Sequence, residues 1–152
     1  MGGNSQRFDG VGGVLMRAAW IVLAALIGGG SASFAGASEL IKVPTGQSMV
    51  PYEALWEDHL DLGKNGETWL VIRFLAPDIA KAAGKISYSD ATVDLEFLCN
   101  SVGLGMAALT GGGVDQIIVN LMDKPIARGE RDQEVTQFMS AYRVVNGACE
   151  WE

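Results

Sequence analysis

The dipeptide Asn146-Gly147, set between AYRVV and ACEWE, constrains this chain more than any other feature. A type I′ turn needs two consecutive residues that tolerate positive φ, and Asn-Gly between β-prone runs is the strongest short-range hairpin signal. A two-residue loop leaves one register: Val145 with Ala148, Val144 with Cys149, Arg143 with Glu150 and Tyr142 with Trp151. Side chains alternate across a strand, so Tyr142, Val144, Cys149 and Trp151 share one face while Arg143 and Glu150 share the other. The first set is expected to face a core and the second to form a solvent-side charge pair. Ahead of this hairpin the pattern is open, because Val135, Phe138, Met139 and Tyr142 fit a helical stripe as well as Phe138, Tyr142 and Val144 fit a strand.

Working backwards, VDQIIVNLMD is a continuous apolar run of strand length between Gly111-Gly112-Gly113 and Pro125, and reads as a central strand. TWLVIRFLA, ended by Pro77, has the β-branched and aromatic composition of a buried strand. YEALWED precedes it across the polar loop Gly63-Lys64-Asn65-Gly66, which predicts an antiparallel pair. Ile41 to Val43, stopped by Pro44, is a short edge-strand candidate. Between the two buried runs lies SYSDATVDLEFLCNSVG, with N-cap oxygens at Ser87, Ser89 and Asp90 and a C-terminal stop at Gly103. Its residues Leu95, Leu98, Cys99 and Val102 fall on one helical stripe. The expected fold class is α+β, a small antiparallel sheet with one main amphipathic helix on a face and a C-terminal β-hairpin.

The N-terminal segment places this domain. Arg17 precedes an apolar run from Ala18 to Gly30 and then small residues, the arrangement of a secretory signal peptide. Cleavage is expected after Ala35 or Ala37; a membrane anchor would need about 20 uninterrupted apolar residues, and Arg17 breaks any longer run. Met16-Arg17 is itself a compact signal-peptide start, so initiation is expected at Met16, with Met1 to Leu15 a gene-model extension. The expected organisation is a signal peptide over 1–37 and one globular domain over 38–152, periplasmic or secreted and without a membrane segment in its mature form. Losing Asp9, Arg7 and Arg17 leaves 115 residues with 17 acidic and 9 basic side chains, net −8. An acidic chain without a basic stripe argues against nucleic acid as partner.

Export gives the two cysteines a meaning. Cys99 on the inward stripe of the helix and Cys149 on the inward face of the hairpin are expected to form a disulfide, since such bonds persist outside the cytoplasm and two cysteines allow one pairing. A redox role is disfavoured by the absence of C-x-x-C spacing and of a neighbouring basic residue.

Few residues point to chemistry. Glu57, His59 and Asp61 would share one side of a strand and form the one cluster suited to Zn²⁺ or Ca²⁺, although a lone histidine among acids is more often a solvated face. Gly103-Leu104-Gly105-Met106-Ala107-Ala108, with Asp123 twenty residues beyond Gly103, matches a dinucleotide fingerprint as letters only. No strand precedes it and no adequate helix follows, so a loop is expected there and no cofactor. No G-x-S-x-G elbow or Walker loop is present. Trp56, Trp69 and Trp151 are expected to pack in the core rather than line a carbohydrate surface.

The N-terminal segment together with ETWLVIRFLAPDIA, DLEFLC, VDQIIVNLMDKPIARGE and TQFMSAYRVVNGACEWE resembles a family of small exported proteins of unknown function from alphaproteobacteria. The resemblance covers most of the expected mature chain and implies no activity. Some of its members carry an acetolactate synthase label that this chain does not support, because thiamine-diphosphate enzymes of that kind are several times longer and cytoplasmic. The expectation is a non-catalytic periplasmic binding or interaction protein, with a periplasmic protein or small ligand as partner. The alternative is a small hydrolase or metal-dependent enzyme built on Glu57, His59 and Asp61.

Overall fold

A computed structural model describes residues 32–33, 40–59, 66–111 and 113–152. The expected initiation site, the apolar run, both cleavage sites, Asp61 and the turn at Gly63-Lys64-Asn65 lie outside the described residues. Seven strands are described: β1 (Ala32–Ser33), β2 (Ile41–Lys42), β3 (Ser48–Asp58), β4 (Thr68–Leu75), β5 (Gln116–Met122), β6 (Gln137–Val145) and β7 (Ala148–Trp151). They join in the order β1-β3-β4-β5-β6-β7, with β2 pairing along the same outer edge of β3. Pro51 is tolerated in β3 because it sits at a register shift between Pro51 and Glu53, on a strand whose far edge is only partly covered.

The sheet is mixed rather than antiparallel. β3 and β4 pair antiparallel, as do β5 with β6 and β6 with β7, but β4 and β5 run parallel. Hairpin turns force antiparallel neighbours, whereas the long connection from Pro77 to Asp115 carries a helix across the sheet and returns the chain in its original direction. The two strands so joined are covered on both faces, which is why both read as continuous apolar runs rather than as alternations.

One face of the sheet carries the helix. Leu70, Ile72 and Phe74 of β4 and Ile117, Val119 and Leu121 of β5 pack beneath Ala91, Leu95, Leu98 and Cys99. Helix α1 (Tyr88–Leu98) begins in a capping box: the Ser87 hydroxyl accepts from the Asp90 amide while the Asp90 carboxylate accepts from the Ser87 amide. The Ser87 hydroxyl, which also donates to Asp90 Oδ2 at 2.5 Å, and the Ser87 amide together hold the Asp90 carboxyl below the usual carboxylate range. Asp94 faces inward and is fully buried, its oxygens accepting from the Thr45 amide at 2.9 Å, the Thr45 hydroxyl at 2.5 Å and Gln47 Nε2 at 2.6 Å. The helix thereby fastens the turn that leads into β3.

Gly103 does not stop this helix. A π-turn over Cys99–Gly103 passes directly into α2 (Leu104–Leu109), so the fingerprint-like segment Gly103 to Ala108 is helical, not a loop. Glycine costs about 1 kcal/mol relative to alanine inside a helix. Here it is needed for close approach, because a Cβ at position 103 would stand 2.9 Å from Ile117 Cγ2 of the sheet. By length and composition Tyr88–Leu109 could cross a membrane; its apolar stripe is instead packed on the sheet.

The C-terminal hairpin has the expected register, and Asn146 and Gly147 hold φ of +51° and +78°. The ambiguous segment before it is strand β6. Burial is less even than alternation suggests. Tyr142 and Cys149 are buried, while Val144 is 41% exposed and Trp151, on the edge strand β7, is 75% exposed. Val144 borders a shallow apolar hollow of about 310 Å³ shared with Leu104, Ala107 and Val114. Trp56 is likewise exposed, and Trp69 is half-buried. Burial pushes the Tyr142 phenol up to about 12. Arg143 lies opposite Glu150 in register but makes its ion pairs with Glu67 and Glu152, both at 2.7 Å.

Cys99 and Cys149 are disulfide-bonded, with Cα atoms 6.1 Å apart. The π-turn contributes a second tie, since Asn100 Oδ1 accepts from the Cys149 amide at 3.0 Å.

Candidate functional site

Among the described residues, the opposite face of the sheet carries no helix. Strand alternation that sends Ile72 and Phe74 toward the helix sends Arg73 the other way, and the same parity turns Asn120 outward between Val119 and Leu121. Arg73 and Asn120 are partners in the parallel register, and Asn120 in turn lies opposite Met139 of β6. With Glu53 of β3 opposite Arg73, a polar row crosses β3, β4 and β5. It is covered by the fourteen-residue segment from Asp123 to Thr136, whose ends are joined by Asp123 N to Thr136 O at 3.1 Å and Thr136 N to Asp123 Oδ1 at 2.8 Å. Ile126 of that segment is buried, and Gly129, at φ +87°, turns the chain over the row.

A buried guanidinium is tolerated only when paired and hydrogen-bonded. Arg73 is 1% exposed, and donates to Glu53 Oε2 at 2.6 Å, to the Ile126 carbonyl at 2.6 Å and to Met122 Sδ at 2.8 Å. The ring of Tyr52, the residue at the β3 register shift, lies 5.7 Å from its central carbon. Arg73 Nε, however, has no protein partner. Asn120, 2% exposed, spends its Nδ2 on Gln137 Oε1 at 3.1 Å and leaves its Oδ1 likewise without a protein partner. Each such orphan costs about 1–3 kcal/mol unless something outside the chain satisfies it. Both residues line a cavity of about 270 Å³, floored by the strands and roofed by Arg128 to Arg131.

Of the metal-type cluster, Glu57 meets this cavity's lining through Arg128. Glu57, at the end of β3, holds Arg128 in a two-pronged ion pair, Nε to Oε1 at 2.7 Å and Nη2 to Oε2 at 3.1 Å. That guanidinium, with a smaller contribution from His59, keeps the Glu57 carboxyl below the ordinary glutamate range. His59 Nε2 stands 3.4 Å from Glu57 Oε2, and its ring leans on Trp69 with centroids 4.3 Å apart. Both carboxylate oxygens thus serve to anchor the covering segment. Among the described residues no group of three or more His, Cys, Asp or Glu is placed to hold a metal ion.

A family model matches residues 24–152, which takes in both hairpins, the disulfide, the polar row and its covering segment. The chain belongs to DUF6497, a family of unknown function. Neither a curated protein nor a solved structure matches it. For this DUF6497 chain the site must be read from its own geometry. Its key residues were missed at the level of sequence although a signal was present: Arg73 and Asn120 are the polar interruptions in TWLVIRFLA and QIIVNLM, the two runs that otherwise read as pure core.

Proposed function

We propose that this protein is an exported, disulfide-stapled domain that binds a small ligand without transforming it, and that the cavity over Arg73 and Asn120 is its binding site. The observation that carries the reading is an open-sided cavity of about 270 Å³ lined by Arg73, Asn120, Arg128, Arg131 and Gln137, above two buried polar atoms, Arg73 Nε and Asn120 Oδ1, that no protein group satisfies. Natural cores rarely retain such groups without a use for them. Arginines and amides orient a ligand by hydrogen bonding, and they predominate around this cavity. Export is supported by the basic residue, apolar run and small residues at the N-terminus, and by a disulfide suited to an oxidising compartment.

Two measurements test this proposal. N-terminal sequencing of protein recovered from the periplasmic fraction should begin at Gly36 or Ser38; recovery only from the cytoplasm with an intact N-terminus overturns the export reading. Such cleavage would remove β1, whose two-residue ladder on β3 is a small part of the sheet. A thermal-shift screen of small polar metabolites should return stabilising compounds whose effect is lost in Asn120→Leu, once circular dichroism shows that variant folded. Compounds that stabilise this variant equally well would remove the site.

A further inference from the structure

We propose that the outward face of the helix over Tyr88–Leu109 is the contact between two copies of this chain, packed antiparallel about a two-fold axis that passes beside Ser101. The inference concerns the helical side of the sheet, so it goes beyond the cavity reading and neither depends on the other.

The stripe packed on the sheet accounts for only part of this helix, since 28% of its most apolar stretch is buried. On the outer side Val93, Phe97, Ser101, Gly105 and Leu109 recur at every fourth position. All five are exposed, Val93 at 51%, Phe97 at 39% and Leu109 at 89%. A row of that spacing winds by about 40° per step around a regular α-helix of 3.6 residues per turn. The π-turn over Cys99–Gly103 is a wider turn inserted midway, and it takes up that drift, which keeps the row on one side from end to end. Apolar residues gathered on one exposed face mark an interaction surface.

Charge and self-complementarity select a second copy as the occupant. The chain is acidic, with a net charge of −7, so copies of it repel through most of their surface. No charged residue stands between Glu96 and Asp115, the longest such stretch after Glu39. Two acidic copies can therefore meet on this face without bringing carboxylates together. A two-fold contact also requires a surface that fits itself. Turned end for end about Ser101, the row sets Phe97 over Gly105 of the second copy, Val93 beside its Leu109, and Glu96 opposite its Met106 rather than another acid. The Phe97 ring finds room there, because nothing lies within 4 Å of a Cβ built at Gly105 and the apolar hollow lined by Leu104 and Ala108 adjoins it. Small residues at the axis let two helices approach to about 8 Å. From Val93 to Leu109 the row spans about 24 Å, which is short for an obligate interface and gives a reversible dimer.

The test is analytical ultracentrifugation of the purified, disulfide-intact protein, in the form recovered from cells, from about 1 µM to about 1 mM. The parent should pass from monomer to dimer within this range. Ser101→Glu sets two like charges against each other at the axis and should weaken the dimer at least about ten-fold. Its melting temperature should stay in place, because Ser101 is exposed. Ser101→Lys should act in the same way alone, and an equal mixture of the two variants should dimerise again. A second readout needs no variant: on dilution of the parent, amide signals over 93–109 should move while those over 123–136, on the opposite face of the sheet, stay. A parent that remains monomeric to about 1 mM, a dimer equally tight in both folded variants, or dilution shifts confined to 123–136 overturns the proposal. So does a parent that is monomeric in solution but binds phosphatidylcholine vesicles through this face, with binding lost in Ser101→Glu, which would assign the face to lipid. The metabolite screen at the Arg73 cavity stands or falls separately.

Discussion

Asn120 of β5 lies directly opposite Arg73 of β4 in the parallel register, and each leaves one buried polar atom unmet on the face away from the helix. Arg73 also reaches out of the sheet to the Ile126 carbonyl, so one side chain both lines the cavity and holds down the segment that covers it.

Replacing Arg73 should therefore disturb that segment before the helical face. Arg73→Met removes the charge beneath Glu53 and the donor to Ile126, and is expected to cost roughly 3 kcal/mol, the scale for breaking a buried ion pair. Urea unfolding measures the loss, and amide exchange should quicken over 123–136 more than over α1. A uniform increase in exchange across both faces would contradict the anchoring role.

The Glu57 to Arg128 pair predicts an acid-sensitive cover. Because the folded Glu57 carboxyl is held below its ordinary value of 4.5, its contribution is fully present above that value and is lost as pH falls through the lowered one. Glu67, Asp90 and Asp115, also lowered, act with the same sign. Glu57→Gln should cost about 0.5–1 kcal/mol at neutral pH, allowing for solvent screening. The gap to the parent should close at low pH; a gap constant from pH 7 to pH 3 would show that this ion pair is not its source.

Chelation should leave the protein unmoved. Glu57 has both oxygens on Arg128, so EDTA is expected to leave the melting temperature unchanged in the parent and in His59→Ala alike. A chelator-sensitive midpoint that His59→Ala abolishes would instead restore a metal role to Glu57, His59 and Asp61.

The disulfide closes a loop of 50 residues, for which chain-entropy bookkeeping gives about 4 kcal/mol as an upper value. The double variant Cys99→Ala with Cys149→Ala should lose a large part of this in equilibrium unfolding. Intact mass after alkylation should show no modified thiol in the parent until a reductant is added. Two alkylations of the folded, unreduced protein would disprove the bond.

Gly103→Ala asks two packed layers to separate. With a Cβ placed 2.9 Å from Ile117 Cγ2, the cost should be about 1–3 kcal/mol despite alanine's better helix propensity. Stabilisation by this change would mean that the helix and sheet are not closely apposed there, and a companion change, Gly105→Ala, with open space around its Cβ, should be neutral or better.

What the sequence determined by itself was local or covalent in origin. Asn146-Gly147 imposed a hairpin register because only positive φ closes a two-residue turn of the right twist, and Ser87 with Asp90 marked a helix start through bonds spanning three residues. Cys99 and Cys149 could be matched because each followed from one such element. Tertiary structure alone decided the relations between elements distant in the chain. The parallel pairing of β4 with β5 depends on a helical crossover, and Gly103 reads as a helix stop until Ile117 is placed against it. Trp151 looks like a core residue until its strand is seen to be the edge of the sheet. Arg73 and Asn120, 47 positions apart, become a site only when the parallel register sets them side by side. No local propensity encodes that meeting, because it depends on which buried faces find each other when the chain closes.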